Sequence, residues 1–464
     1  MIYTKKILLF TSLILLFNLI SKTQAVQILE SKVIIQQVTD CDMHFGKIIF
    51  DNNDNVLVSM KGLFYANGRI TRTDNMEQYC CNILGSFVKD NRFYAAIYDI
   101  NTVDIYSTQK KFELVSKIKA VSVSGYPYYD GIVAVPEQNN SYYLFGHYLI
   151  LPLNPVEWGK MVLSAGHGVT YEKPFLAEVK NSKIIRNIKL DYGGKRDESY
   201  AVQEVRAGKD SIHFFGFRNV DVPFIGNRGP IQLVRFGEDG YGDKYSNFRT
   251  GNYYEDRDIT QSIILYYSDY NLKKGKNTRN CKIYENTPGY DKKTDTYSDY
   301  GVLSADSQDD DVFAVFSWVE VKHFKQGSRF RQEFNINNIN SSIYYWQCSD
   351  KSYSKVEKIA EGFCPLVRVD QFGFIHVFWV DRSGNIVQKT RKDNKWSNEE
   401  IILNGFNTKS AIIYTKRCSI KTSKDRPEAI LYTKFFAAEF DKDNNLHMVY
   451  PTAEGIVYTK LKLE

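Results

Sequence analysis

Cysteine is scarce in this chain, seven in 464 residues, far below the density of a small scaffold held by disulfides. The odd number leaves at least one thiol outside any pairing. None of the seven stands in a C-x-x-C pair and no Cys/His cluster has zinc spacing, so neither a structural metal nor a cofactor is expected. Proline and glycine, 11 and 29, are too few for a collagen-like chain. A hydrophobic content of 43% is too high for a disordered one. A strong excess of one charge is missing too. The 60 basic against 54 acidic residues give +6, which drops to +3 without Lys5, Lys6 and Lys22. So small an excess on so long a chain argues against nucleic acid as a partner. Beyond residue 26 there is no stretch with helical periodicity and none of membrane-spanning length, which excludes a coiled coil and a multi-span membrane protein.

What is present begins with an address. Lys5 and Lys6 precede the apolar run Ile7 to Ile20, and Thr23-Gln24-Ala25 has the small residues of a cleavage site. Residues 1–25 therefore read as a secretory signal rather than an anchor, because the run is shorter than the roughly 20 residues a span needs. The expectation is a secreted or periplasmic protein of residues 26–464, monomeric and not inserted in a membrane. Secretion permits disulfides, and Cys348 and Cys364, flanking the hairpin-like stretch 349–363, are the best-placed pair.

Short runs of Val, Ile, Tyr and Phe bounded by Asp, Asn and Gly read as β-strands throughout. Two segments align without gaps, Val369 to Trp379 and Phe440 to Tyr450. Each has an apolar residue, an Asp opening a turn, and a strand in which a His precedes an aromatic by three positions. Looser copies occur at Phe50 to Met60, Ala305 to Trp318, Gly208 to Phe215, Val88 to Ala95 and Val135 to Tyr142. A second motif, a strand followed by a polar turn, alternates with the first at Ile105, Ile264, Ile343 and Ile386. Two hairpins make a four-stranded antiparallel blade that cannot bury both faces alone and must stack on neighbours around an axis. The predicted fold is all-β, a six- or seven-bladed β-propeller, with Gly455 to Leu463 closing the ring against Val33 to Gln36.

The Asp-x-x-Gly/Asn-x-x-His-Val-x-Trp hairpin at Asp370 to Trp379, its looser copy at Asp441 to Tyr450, and the outer hairpin Ile343 to Tyr353 resemble the repeats of sialidase-like propellers with BNR or Asp-box motifs. The box itself appears only in part, as Ser349-x-x-Ser352-Tyr353 with no Gly before the aromatic. The resemblance implies a glycan-active protein of the glycosidase or polysaccharide lyase kind, or a non-catalytic lectin, since fold does not choose among them. A sialidase proper would bring three arginines onto a substrate carboxylate, with an acidic acid/base and a Tyr/Glu nucleophile. The Arg-Ile-Pro signature of that group is missing here; the first arginines, Arg69 and Arg72, stand in Gly68-Arg-Ile-Thr-Arg-Thr.

The richest constellation lies mid-chain. Tyr192 to Tyr200 carries Arg196, Asp197, Glu198 and Tyr200 in a glycine-turned loop. Arg218, Arg228, Tyr254 and Arg257 follow. Aromatic faces against sugar C–H groups, with charged groups on hydroxyls and carboxylates, are what a glycan site needs. Asp197, Glu198 and Tyr200 are the catalytic candidates, joined by His167, which sits between glycines where an imidazole can act as a lyase base. Arg196, Arg218, Arg228, Tyr254 and Arg257 are the substrate-binding candidates. His213, His376 and His447 recur at one repeat position, so packing is their expected role. Asp309-Asp310-Asp311 reads as a solvated turn, matching no calcium loop. Two other functions remain open: a lectin with one pocket per blade, or a protein-interaction propeller. Loop asymmetry separates them, because a single cleft favours the enzyme.

Overall fold

The computed structural model describes residues 26–35, 45–60, 63–66, 69–72, 83–99, 102–108, 113–119, 127–135, 141–150, 171–190, 200–219, 263–286, 289–291, 293–294, 296–322, 339–349, 352–405 and 436–463. They form a seven-bladed β-propeller of four-stranded antiparallel sheets with no helix. The innermost strands, in blade order, are Phe45–Phe50, Ile83–Lys89, Pro127–Ala134, Tyr200–Ala207, Thr296–Gln308, Phe363–Val369 and Ala437–Phe440. Each packs against its neighbours in the ring, and the last meets the first. The blade number left open by the repeat spacing is thus seven. All seven repeat copies are the hairpins between first and second strands, and the alternating motif falls on third strands.

Ring closure is as expected. In the seventh blade the outermost strand is Gln27–Ile35, antiparallel to Gly455–Lys462 with Val33 opposite Val457. Ile34 and Ile35 are buried in the cluster shared by the last and first blades. The bridge between Cys348 and Cys364 is overturned, since neither is in a disulfide. Cys348 packs in the cluster between the fourth and fifth blades, whereas Cys364 packs with residues of the sixth, seventh and first. Adjacent hairpins in sequence lie on different blade faces, which spacing alone does not reveal.

The Asp of the repeat makes the turn. Asp51, Asp370 and Asp441 each accept backbone N–H groups two and four residues on, for example Phe372 and Phe374 on Asp370 at 2.9 and 2.8 Å. Such a side chain replaces backbone partners the turn would otherwise leave unmet. Asp90-Asn91 and Asp393-Asn394 have positive φ at both positions, the two-residue turn that matches strand twist.

Blades are stitched by one repeat position. Two residues before the turn stand Arg206, Arg368 and Glu439, with Asp306 opposite Phe313 at the matching register of the fifth blade. Arg206 Nε donates to the Ala305 carbonyl of the next blade at 2.6 Å, and Arg368 Nε does the same to Ala438 at 2.6 Å. The Val369 N–H donates to Asp306 Oδ2 at 2.8 Å. Charge alternates along four consecutive blades, and Arg368 pairs with Glu439 at 3.0 Å. Burial raises the Glu439 pKa, and Arg368 opposes that rise.

Candidate functional site

In an antiparallel blade the first-to-second and third-to-fourth turns share one end of the ring. The second-to-third and blade-to-blade connections share the other. At the first end the turns are tight. At the second, the second-to-third connections of blades one, two, six and seven are short (61–62, 100–101, 381–385 and 453–454), but those of blades three, four and five run 151–170, 220–262 and 323–338. The long second-to-third connections thus belong to three consecutive blades, and the blade-to-blade connection 404–436 between the sixth and seventh blades is long as well.

Of the nine predicted site residues, the structure describes Tyr200 and Arg218. Tyr200 opens the innermost strand of the fourth blade and Arg218 closes the second strand, and the two are direct register partners. They head a row that continues to Ile264, buried in the cluster between the third and fourth blades. His167 belongs to the connection between Ile150 and Tyr171, themselves register partners. Arg228, Tyr254 and Arg257 belong to the connection between the partners Asn219 and Ile263. Arg196, Asp197 and Glu198 immediately precede Tyr200. These seven residues, His167, Arg196, Asp197, Glu198, Arg228, Tyr254 and Arg257, lie outside the described residues.

The described part of this end holds an aromatic cluster buried between the fourth and fifth blades that sequence reading missed. Phe217, Tyr300, Phe316 and Trp318 are buried in one cluster, and Tyr284 and Tyr344 pack half-buried on it. Tyr300 meets Trp318 edge-on at 5.1 Å, Tyr344 stacks on Phe316 at 5.4 Å and on Tyr284 at 5.5 Å. Burial, with the Tyr344 hydroxyl next, raises the Tyr284 pKa. One step nearer the loops, Ser298, Glu320 and Asn340 form a cross-strand row directly beyond the row Tyr300, Trp318 and Ser342. Side chains two apart on a strand share a face, so this row lies on the same face as that cluster. Arg382 Nη2 donates to Asn340 Oδ1 at 3.0 Å. A signal existed in the repeat copy ending at Trp318: Glu320 continues its face by two positions.

The tight-turn end carries the recurring histidines, and they pack as expected. His447 joins Asp441 Oδ2 at 3.0 Å through Nε2 and the Tyr458 hydroxyl at 2.7 Å through Nδ1. His376 joins Asp370 at 3.3 Å and Thr390 at 3.3 Å. Phe440 lies on His376 at 4.8 Å and Phe50 on His447 at 4.7 Å, each from the following blade. In the fourth blade Gly208 stands where the Asp would be, so His213 Nε2 is buried with no partner while Nδ1 meets the Tyr267 hydroxyl at 3.1 Å. Burial, then Arg279, pulls its pKa down to about 3. A histidine that stays neutral and enclosed is a packing group. The acidic triplet is a hairpin tip, with Asp309 at φ 54°. Among the described residues no group of three His, Cys, Asp or Glu is arranged to hold a metal ion, and no helix is long and apolar enough to cross a membrane.

No family model matches the chain, and no curated protein matches it. Solved structures share its fold. An ulvan lyase of a new polysaccharide lyase family is 8% identical, with a TM-score of 0.47 over 95% of this chain and 96% of that one. An α-L-arabinofuranosidase from Fusarium graminearum is 8% identical, with a TM-score of 0.40 over 94% and 98%. A chain of the mitotic checkpoint complex is 6% identical, with a TM-score of 0.43 over 96% and 94%. Likeness at this level concerns architecture, which glycan-active and protein-assembling propellers hold in common.

Proposed function

We propose that the protein is a secreted, sialidase-like propeller that processes a glycan at the loop end of its third to fifth blades. One observation carries the reading: the long second-to-third connections are those of three consecutive blades, and the predicted site residues all fall in the sequence between Ile150 and Ile263. A lectin with equal pockets would distribute its chain evenly, and a flat scaffold would need no such asymmetry.

In this reading Arg196, Arg218, Arg228 and Arg257 engage acidic groups of the substrate, because guanidinium forks match carboxylates in geometry and charge. Tyr254 stacks on a ring. Asp197 or Glu198 serves as general acid/base, with Tyr200 beside it as nucleophile or proton donor. His167 is the base if the bond is broken by elimination: it takes the proton next to the uronate carboxylate, an arginine holds that carboxylate, and the glycosidic oxygen leaves with a proton from Tyr200. Hydrolysis uses the carboxylates without His167. The test is a glycan array beside release assays on sialylated and uronic-acid substrates. Release that falls by about 10²–10⁴-fold in Asp197→Ala or Glu198→Ala is the expected result, with His167→Ala separating elimination from hydrolysis. Binding without release makes the protein a lectin. Silence in both assays removes the glycan reading in favour of a protein-interaction propeller.

A further inference from the structure

We propose that the tight-turn face of the propeller docks on an anionic lipid bilayer, through pairs of cations that close its two-residue turns. The proposal is independent of the glycan reading.

Among the described residues, three turns of this face have positive φ at both central positions: 90–91, 181–182 and 393–394. Each is closed by two cations. Lys89 stands directly opposite Arg92 in the second blade, Lys180 opposite Lys183 in the third, and Lys392 opposite Lys395 in the sixth. All but Lys89 are exposed. Opposed residues of an antiparallel pair hold their Cβ atoms about 5 Å apart, and like charges there are destabilising. None of the six is in an ion pair with a described residue. Guarding an exposed edge needs a lysine on the outermost strand alone, which leaves the cation directly opposite it unexplained. The second-blade pair closes a turn between the first two strands, away from the outer edge. An unfavourable pair that recurs in three blades becomes favourable when an anion meets both cations at once.

The shape of the face decides which anion. Its turns are short and knit to one another: the Asn52 N–H donates to Asn91 Oδ1 at 2.7 Å, the Gln371 N–H to Asn444 Oδ1 at 3.1 Å, and the Lys209 N–H to the Asp309 carbonyl at 3.2 Å. In the fourth blade Lys274 and Lys276, both exposed, flank Gly275 on the same face. A linear polyanion follows a stripe or a groove, whereas cations distributed over four blades of one face are met together by a planar anionic surface. The acids exposed here, Asp90, Asp309, Asp310, Asp393 and Asp443, have short side chains, so the longer basic ones reach a flat partner first. Phe372, in the first-to-second turn of the sixth blade, is 66% exposed on this face, and Lys392 lies over the neighbouring Phe374 ring at 4.6 Å. An aromatic beside cations suits the headgroup boundary of a bilayer. Docked in this way, the end with the long second-to-third connections faces away from the lipid.

Co-sedimentation with vesicles of phosphatidylcholine, with and without phosphatidylserine, tests the assignment. The expected result is binding to the phosphatidylserine vesicles that falls as salt screens it, and none to phosphatidylcholine alone. Lys180→Gln with Lys183→Gln, and Lys392→Gln with Lys395→Gln, should each weaken binding about tenfold or more, from the attraction of a basic side chain to an anionic surface. Lys392→Arg with Lys395→Arg should retain it. The two Gln variants should melt at or above the wild-type temperature because a repulsion is removed, which separates a lost contact from a lost fold. Phe372→Ser should weaken binding without lowering the melting temperature. Gln variants that bind as wild type, equal binding to both kinds of vesicle, or no binding to either would overturn the proposal. So would capture by heparin, a soluble polyanion, with none by vesicles, since the basic turns would then serve a polysaccharide.

Discussion

At the scale of single residues, the repeat position of Asp441 and Asp370 decides how stability follows pH. Burial would raise the Asp441 carboxyl, but Lys460 at 2.8 Å, His447 and Asn445 outweigh it, and the net pKa lies well below the usual carboxylate range. Asp370 is also lowered. A carboxylate with a depressed folded pKa contributes stability above its unfolded pKa and loses it as pH falls, so the loss begins near pH 4 and deepens with acid. His213 adds to this over a different window. Its folded pKa of about 3 lies below the ordinary 6.5, so the unfolded chain takes up a proton that the folded one refuses. Its contribution is therefore lost as pH drops from 6.5 toward 3. Melting temperatures across pH 3–8 should fall on acidification, and His213→Gln should flatten the part between 6.5 and 4. A variant as steep as wild type there would contradict the assignment. Gly208 is constrained by the same neighbourhood. A Cβ there would lie 2.5 Å from both the Asp309 carbonyl and His213 Nε2, so Gly208→Ala should cost about 1–3 kcal/mol as an overpacking change, measured by denaturant unfolding.

At the scale of elements, hairpins were the most legible feature because their determinants are local. Asp in the turn, a β-branched or aromatic strand and a His or apolar residue six positions on are enough to specify a first-to-second hairpin. Even the weakest copies, at Val88 and Val135, prove to be such hairpins. The outer strands are edges and are guarded as edges. Glu113–Lys119 and Lys183–Lys189 carry charged residues at both exposed ends while showing Val115 and Ile185 to solvent, a pattern that discourages strand addition. The closing strand is different, since Ile34 and Ile35 turn inward. Replacing both with Ser should lower unfolding free energy by roughly 3–6 kcal/mol, from about 1.5–3 for each buried aliphatic. A loss below about 1 kcal/mol would mean that the ring does not depend on this closure.

At the scale of the whole molecule, the scaffold and the candidate site are separable. Asn219 and Ile263 are paired across the strands that the 220–262 connection joins. A two-residue Asn-Gly turn in place of residues 220–262 therefore closes the same hairpin. The shortened protein should keep its melting temperature within a few degrees and lose glycan binding and release. Retained activity would move the site elsewhere on the ring.

The strand composition, the repeat and the ring closure could all be read from residue order, since each depends on patterns spanning a few neighbouring positions or a repeating unit. What the tertiary structure decided is whatever depends on facing surfaces of different blades: the number of blades, the unbridged state of Cys348 and Cys364, and the clasps of Arg206, Asp306 and Arg368 onto the next blade's backbone. The buried cluster that sets Tyr300 and Phe316 against Tyr284 belongs to the same class. Those contacts join residues tens of positions apart, and no local rule of spacing selects which faces will meet.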